Sequence, residues 1–209
     1  DPLAGQDELT RSMWGRLTAA AEEFNEPGRF TAMIGFEWSS SPGGNNLHRN
    51  VLFRDGKSHA DQVLPFSNYD STDPEDLWAW MQAYEDRTGG RVLALAHNGN
   101  LSNGLMFDDI TMAGRKLSRE YAERRMRWEP LYEVTQIKGD GEAHPFLSPD
   151  DEFADFETLE LGNLNLTVVK TKDMLKYEYA REALKEGLRL ADKFGANPYQ
   201  FGMVGSTDT

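Results

Sequence analysis

Apolar residues Leu9, Met13, Trp14, Leu17, Ala20, Ala21 and Phe24 recur at the spacing of a helix, and Glu26-Pro27-Gly28 closes it. Phe30 to Glu37 is mostly apolar and predicts a buried strand. Ser39 to Asn46 carries Pro42, Gly43 and Gly44 and predicts a loop whose glycines allow close backbone approach. From His48 to Arg54 the pattern alternates, with Asn50, Leu52 and Arg54 on one face of a strand and Val51 and Phe53 on the other. Asp55 to Thr72 shows no period and predicts a long surface excursion. Asp73-Pro74-Glu75-Asp76 is a helix start, with a capping Asp, Pro at the first position and acids in the first turn. Leu77, Trp78, Met81 and Tyr84 supply that helix's apolar stripe, and Gly89-Gly90 ends it. Arg91 to Ala96 is too apolar for a strand exposed on one face, so strand, helix and strand here predict a βαβ unit.

Ser118 to Arg127 predicts a charged, exposed helix, and Leu131 to Ile137 alternates as a strand. Lys138 to Asn163 is acidic and holds Pro145 and Pro149, the pattern of a long loop. Leu175, Tyr179, Ala183, Leu184, Leu188 and Ala191 mark one amphipathic helix from Lys172 to Phe194. A short strand from Phe201 to Val204 follows it. Together these elements predict an α/β fold with mainly parallel strands and flanking helices, in a single domain over residues 1–209.

The 209 residues, 39% of them hydrophobic, suffice for a real core. A formal charge of -13 disfavours nucleic acid and anionic membrane surfaces as partners and favours small substrates and divalent cations. Without cysteine there is no disulfide, thiolate nucleophile or sulfur-ligated zinc, which leaves histidines and carboxylates as the strong ligands. No run approaches the roughly 18 apolar residues of a membrane span. The start at Asp1 has no leader pattern; any targeting segment lies upstream of it, and an extracytoplasmic location is compatible with this.

Glu37, His97 and Asp208 each sit just past an apolar run. If those strands are parallel, all three emerge at one carboxyl edge, where α/β folds build active sites. Two carboxylates and an imidazole suit Mn²⁺, Fe²⁺ or Zn²⁺, and such an ion makes hydroxide from water near neutral pH. Taken singly, each residue has a structural reading: Glu37 as a paired strand-end carboxylate, His97 as a hydrogen bond to the turn behind it, Asp208 as a helix cap. Only the combination points to a metal. His48 lies eleven residues after Glu37, beyond a Gly-Gly-Asn-Asn turn, so a hairpin can fold it back to bind metal or leaving group or simply to pair across a strand. Glu133, Gln136, Lys138, Glu142 and His144 form a second group that either lines the mouth of a site or belongs to a solvated acidic loop; Lys138 is the cation that can hold an anion there. Ser39-Ser40-Ser41 lacks a Gly-x-Ser-x-Gly elbow and any evident base nearby, which argues against a serine nucleophile.

The blocks Phe30 to Ser40, Gly44 to Val51, His97 to Gly104, Gln136 to Gly139 and Gly205 to Asp208 resemble the DUF3604 family, relatives of the PHP (polymerase and histidinol phosphatase) metallohydrolases. The resemblance spans nearly the whole chain. It implies a distorted (β/α)7 barrel, two or three divalent ions and hydrolysis of phosphoesters or related anionic esters by a metal-bound hydroxide. It implies Glu37, His97 and Asp208 as metal ligands, and with them His48, His97 and Lys138 are the expected catalytic groups. Substrate contacts are expected from Asn46, His48, Asn98, Asn100, Glu133, Gln136 and Lys138. The family's opening His-x-His, its Thr-Asp-His and its closing His are missing, so the 209 residues read as an incomplete catalytic domain that is inactive by itself. Two other classes compete: a noncatalytic carbohydrate-binding module using exposed tryptophans Trp38, Trp78, Trp80 and Trp128, and a glycosidase pairing Glu37 with Glu133.

Overall fold

The structure, a computed structural model, describes residues 2–207, with side chains from Glu8 onward. Its elements are α1 (Pro2–Phe24), β1 (Gly35–Trp38), β2 (Arg49–Phe53), α2 (Lys57–Ala60), α3 (Pro74–Thr88), β3 (Val92–Ala96), α4 (Arg119–Trp128), β4 (Leu131–Gln136), β5 (Gly139–Asp140), α5 (Ala180–Phe194) and β6 (Gly202–Gly205). The strands form one six-stranded mixed sheet. β1 pairs antiparallel with β2 and β2 antiparallel with β3, whereas β4 lies parallel to both β3 and β6 and antiparallel to β5. The expected barrel of mainly parallel strands is therefore not formed, and the sheet is open.

The reason lies in the connections. A parallel pair needs a crossover of a dozen or more residues, and β1 to β2 and β4 to β5 are joined by turns too short for one. Between β2 and β3 the expected βαβ unit fails for another reason: the chain crosses the sheet twice. The indole of Trp38 donates to the Ser71 carbonyl (3.2 Å) and the Ser40 hydroxyl to the Thr72 carbonyl (2.8 Å), which places residues 71–72 at the carboxyl end of β1. From there α3, capped by Asp73 on the Glu75 amide (2.9 Å), brings the chain back to the end it left. There the Arg91 amide donates to Asp55 (2.7 Å), and β3 starts antiparallel to β2.

Both apolar clusters lie on one face of the sheet. Trp38, Val51, Phe53 and Ala94 pack with Trp14 of α1, Leu77, Trp78, Met81 and Tyr84 of α3, and Trp128 of α4; Ala96 and Tyr132 pack with Ala180, Ala183 and Leu190 of α5. Trp38 and Trp78 are fully enclosed, Trp128 nearly so, and Trp80 packs half-buried against the core, so the exposed tryptophan platform is not present. Among the described side chains of α1, Trp14 and Thr18 are buried, while Leu9, Met13, Leu17 and Phe24 face solvent. Phe30 and Met33 are also exposed, and the strand predicted from Phe30 starts only at Gly35. The helix predicted from Lys172 begins at Ala180. Before it, Glu178 is fully buried against Lys170 and the Gly104 amide, Tyr179 is extended, and the Ala180 amide donates to the Gly141 carbonyl (2.8 Å), which together prevent an earlier start. Helix α4 is less exposed than its sequence suggests, since Ala122, Arg125 and Trp128 are buried. Among the described residues no helix is long and apolar enough to cross a membrane.

Candidate metal centre

β1, β3, β4 and β6 point the same way, so their carboxyl ends share one edge of the sheet despite the antiparallel β2. Glu37 lies near the end of β1 and His97 directly after β3. His48 immediately precedes β2, which runs back from that same edge, and the Glu37–Asn50 register sets it beside Glu37. The Glu37 carboxylate meets His48 Nδ1 at 2.5 Å and His97 Nε2 at 3.4 Å through one oxygen, Oε1. The two imidazoles stand edge to face with centroids 5.7 Å apart. Hydrogen bonds from His48 and then His97 hold the Glu37 carboxyl well below the usual carboxylate range, outweighing the opposing effect of burial.

The outer nitrogens of both rings are also engaged. Ser41 Oγ lies 2.9 Å from His48 Nε2, and Asn50 Nδ2 lies 3.4 Å from His97 Nδ1. A base beside Ser41 was not visible in the sequence, because the contact closes only when the Pro42-Gly43-Gly44 turn folds the chain back. Gly43 and Gly44 both have positive φ there, and the buried Asn163 side chain donates to the Gly43 carbonyl (3.2 Å) to hold the turn. In the sequence Asn50 is a strand-face residue, and its signal is a carboxamide in the middle of a strand.

One ligand atom from each of Glu37, His48 and His97 lies within 4.8 Å of the other two. Donors around a single Zn²⁺, each about 2.0–2.2 Å from the ion, sit roughly 3–4 Å apart, so small side-chain adjustments close this set on one ion. A carboxylate oxygen with two imidazole nitrogens is also the chemistry that Mn²⁺, Fe²⁺ and Zn²⁺ accept. The residues present therefore fit a divalent ion. Asp208 lies outside the described residues.

Glu37 also borders a cleft of about 430 Å³ on the sheet face opposite the helices, lined by Asn50, Leu52, Leu95, Glu133, Val204 and Ser206 among others. Glu133, 6% exposed, is thus brought into the same cleft as Glu37, with β2 and β3 between their strands. The other expected substrate contacts form a buried carboxamide group around the loop after β3. Asn46 donates to the His97 and Asn98 carbonyls (2.8 and 3.2 Å) and Asn100 to the Lys138 carbonyl (3.0 Å), while the Gln136 side chain accepts from the Lys138 amide (3.1 Å). These bonds tie the loops together, yet Asn46 Oδ1, Asn100 Oδ1, Gln136 Nε2 and both polar atoms of Asn98 are buried without a hydrogen-bond partner. Asn98 is left-handed (φ 51°) directly after His97. Lys138 is half-buried in the β4–β5 turn.

His144 is not part of this centre. Its Nε2 pairs with Glu160, its Nδ1 accepts the Phe146 amide (3.0 Å), and burial pulls its pKa down, so both ring nitrogens serve local structure. Glu142 likewise is held by Arg181 at 2.8 Å.

Sheet and cluster together define an α/β protein with a carboxylate–imidazole cluster at the carboxyl edge of its parallel strands. The chain belongs to the DUF3604 family, described as a protein of unknown function, whose model matches residues 3–209. No curated protein and no solved structure matches it at a significant level.

Proposed function

We propose that this chain carries part of the active centre of a divalent-metal-dependent hydrolase acting on phosphoesters or related anionic esters. The observation behind this reading is the convergence of Glu37, His48 and His97 from three separate chain segments onto one point at a strand edge. A bound ion there would supply Lewis acidity and a water of lowered pKa. Glu37, kept ionised by its two histidines, would hold the ion together with His97 and His48. Glu133 faces the same cleft, and the unpaired atoms of Asn98, Asn100 and Gln136 offer donors and acceptors for the neutral part of a substrate. In a chain of formal charge -13, an anionic substrate requires a cation to reverse the local field, and Lys138 in the β4–β5 turn is the side chain expected to contribute.

The PHP kinship expected from the sequence motifs belongs to the same proposal. No observation favours the carbohydrate-module reading, since Trp38, Trp78 and Trp128 are in the core and Trp80 packs half-buried against it. The test is hydrolysis of a generic aryl phosphate or phosphonate by the complete gene product, with and without Mn²⁺, alongside metal analysis. Turnover should require the ion, and Glu37→Gln should lose both bound metal and activity. Turnover that survives a chelator, or a Glu37→Gln protein with unchanged metal content, would refute the reading.

A further inference from the structure

A neutral imidazole has one N–H and one lone pair, so whatever touches the outer nitrogen decides what the inner nitrogen can do. In the ion-free arrangement His48 donates from Nδ1 to Glu37, which leaves Nε2 to accept the hydroxyl proton of Ser41. His97 in turn donates from Nε2 to Glu37 and accepts at Nδ1 from the Asn50 amide group. For either ring to offer its inner nitrogen to a cation, the proton must move to the outer nitrogen and find an acceptor there. Ser41 and Asn50 are side chains that can reverse roles in place. A hydroxyl rotates about its C–O bond from donor to acceptor, and a half-turn of a carboxamide exchanges N–H for C=O.

Two local features show that these side chains are directed at the rings. Ser41 precedes the turn Pro42–Gly44 at a position where serine usually caps the following amides, yet its hydroxyl makes no capping bond and is turned to His48 instead. Asn50 sits in β2 with Glu37 opposite it on β1 and Leu95 on β3, a strand site where an amide has poor intrinsic preference.

We propose that Ser41 and Asn50 are the positioning residues of the centre: they accept the protons that His48 and His97 must carry on their outer nitrogens when their inner nitrogens hold a divalent ion. The inference rests on the metal-centre reading above and adds two residues to it. In established metal sites, loss of such an outer hydrogen-bond partner costs about 10–100-fold in affinity.

The experiment is Zn²⁺ titration calorimetry on the full 209-residue chain, with ¹⁵N-histidine spectra of the free and Zn²⁺-saturated protein. Ser41→Ala and Asn50→Leu should each weaken Zn²⁺ binding by about tenfold or more. Ser41→Thr keeps a hydroxyl and should restore it, and Asn50→Asp, an obligatory acceptor, should bind at least as tightly as wild type. On saturation the ring proton should appear on Nε2 of His48 and on Nδ1 of His97. Wild-type binding with the opposite tautomers, or with an affinity indifferent to Ser41→Ala and Asn50→Leu, overturns this inference and leaves the metal centre standing. Loss of binding in Ser41→Thr and Asn50→Asp equal to that in Ser41→Ala and Asn50→Leu overturns it as well. A wild-type chain that binds no Zn²⁺ overturns this inference, while metal analysis of the complete gene product tests separately the reading it rests on.

Discussion

Replacing Glu129 with Gln should destabilise the whole sheet, because this carboxylate sits at a buried junction behind the centre. Its Oε1 accepts from Arg49 Nε and from the Trp78 indole, each at 3.0 Å, and its Oε2 faces Arg125 Nε at 3.1 Å. All three charged side chains are at most 4% exposed. Gln keeps the volume but removes the charge between two guanidiniums and turns one oxygen into a donor that faces another donor. Removing one partner of a buried ion pair costs about 3–5 kcal/mol, a large part of the roughly 5–15 kcal/mol that holds a domain together. At about 2–4 °C per kcal/mol for a chain of this size, the melting temperature should fall by roughly 6–20 °C. Urea unfolding followed by tryptophan fluorescence measures this, since Trp78 is itself a partner. Acidity provides an internal check. Burial pushes the Glu129 carboxyl up, but Arg49 and Arg125 overcome it and leave its pKa below the ordinary value. A depressed folded pKa means stability that is present above the unfolded value, about 4.3, and is lost as pH falls below it. The gap between wild type and Glu129→Gln should therefore be full at neutral pH and narrow below about pH 4. A loss under about 1 kcal/mol, typical of an exposed pair, or a gap independent of pH would refute this account of the junction.

Two further predictions concern the loops that carry the centre. Lys170→Met should strand the fully buried Glu178, whose carboxyl burial already pushes up against the pull of Lys170. A loss of about 3–5 kcal/mol is expected at pH 7. Because the folded pKa is raised, this loss should shrink on acidification as the carboxyl takes up a proton, so equal losses in urea melts at pH 7 and pH 5 would contradict it. Gly99→Ala should destabilise by about 1–3 kcal/mol through crowding. A Cβ there meets the Glu178 carbonyl and the Tyr132 hydroxyl that accepts the Gly99 amide, and an unchanged thermal midpoint would show that the loop after His97 yields freely.

Much of the secondary structure was legible from local pattern. The Asp73 cap and the Gly89 terminus of α3, the alternation of β2 and the apolar run of β3 all depend on neighbours within a few residues, and they stand where the pattern puts them. The buried face of α1 was not legible, because Leu9, Met13 and Leu17 make as good a stripe as Trp14 and Thr18 until the sheet chooses one. Within the centre, the strand-end positions of Glu37 and His97 and the hairpin return of His48 were readable; Ser41 and Asn50 were not, since neither belongs to a recognisable ligand pattern.

The sequence by itself determined the position of α3, β2 and β3, which residue types were available as ligands, and the family to which the chain belongs. Tertiary structure alone decided strand direction and neighbours. Whether β2 and β3 run parallel or antiparallel depends on how residues 54–91 travel, and that path is set by contacts such as Trp38 with Ser71 and Ser40 with Thr72, more than thirty residues apart in the chain. The same holds at the centre, where Asn50 and His97 are 47 positions apart and meet only through the pairing of β2 with β3. Local patterns fix backbone preferences over one or two turns of chain, whereas proton donors and acceptors around an imidazole are selected by proximity in space.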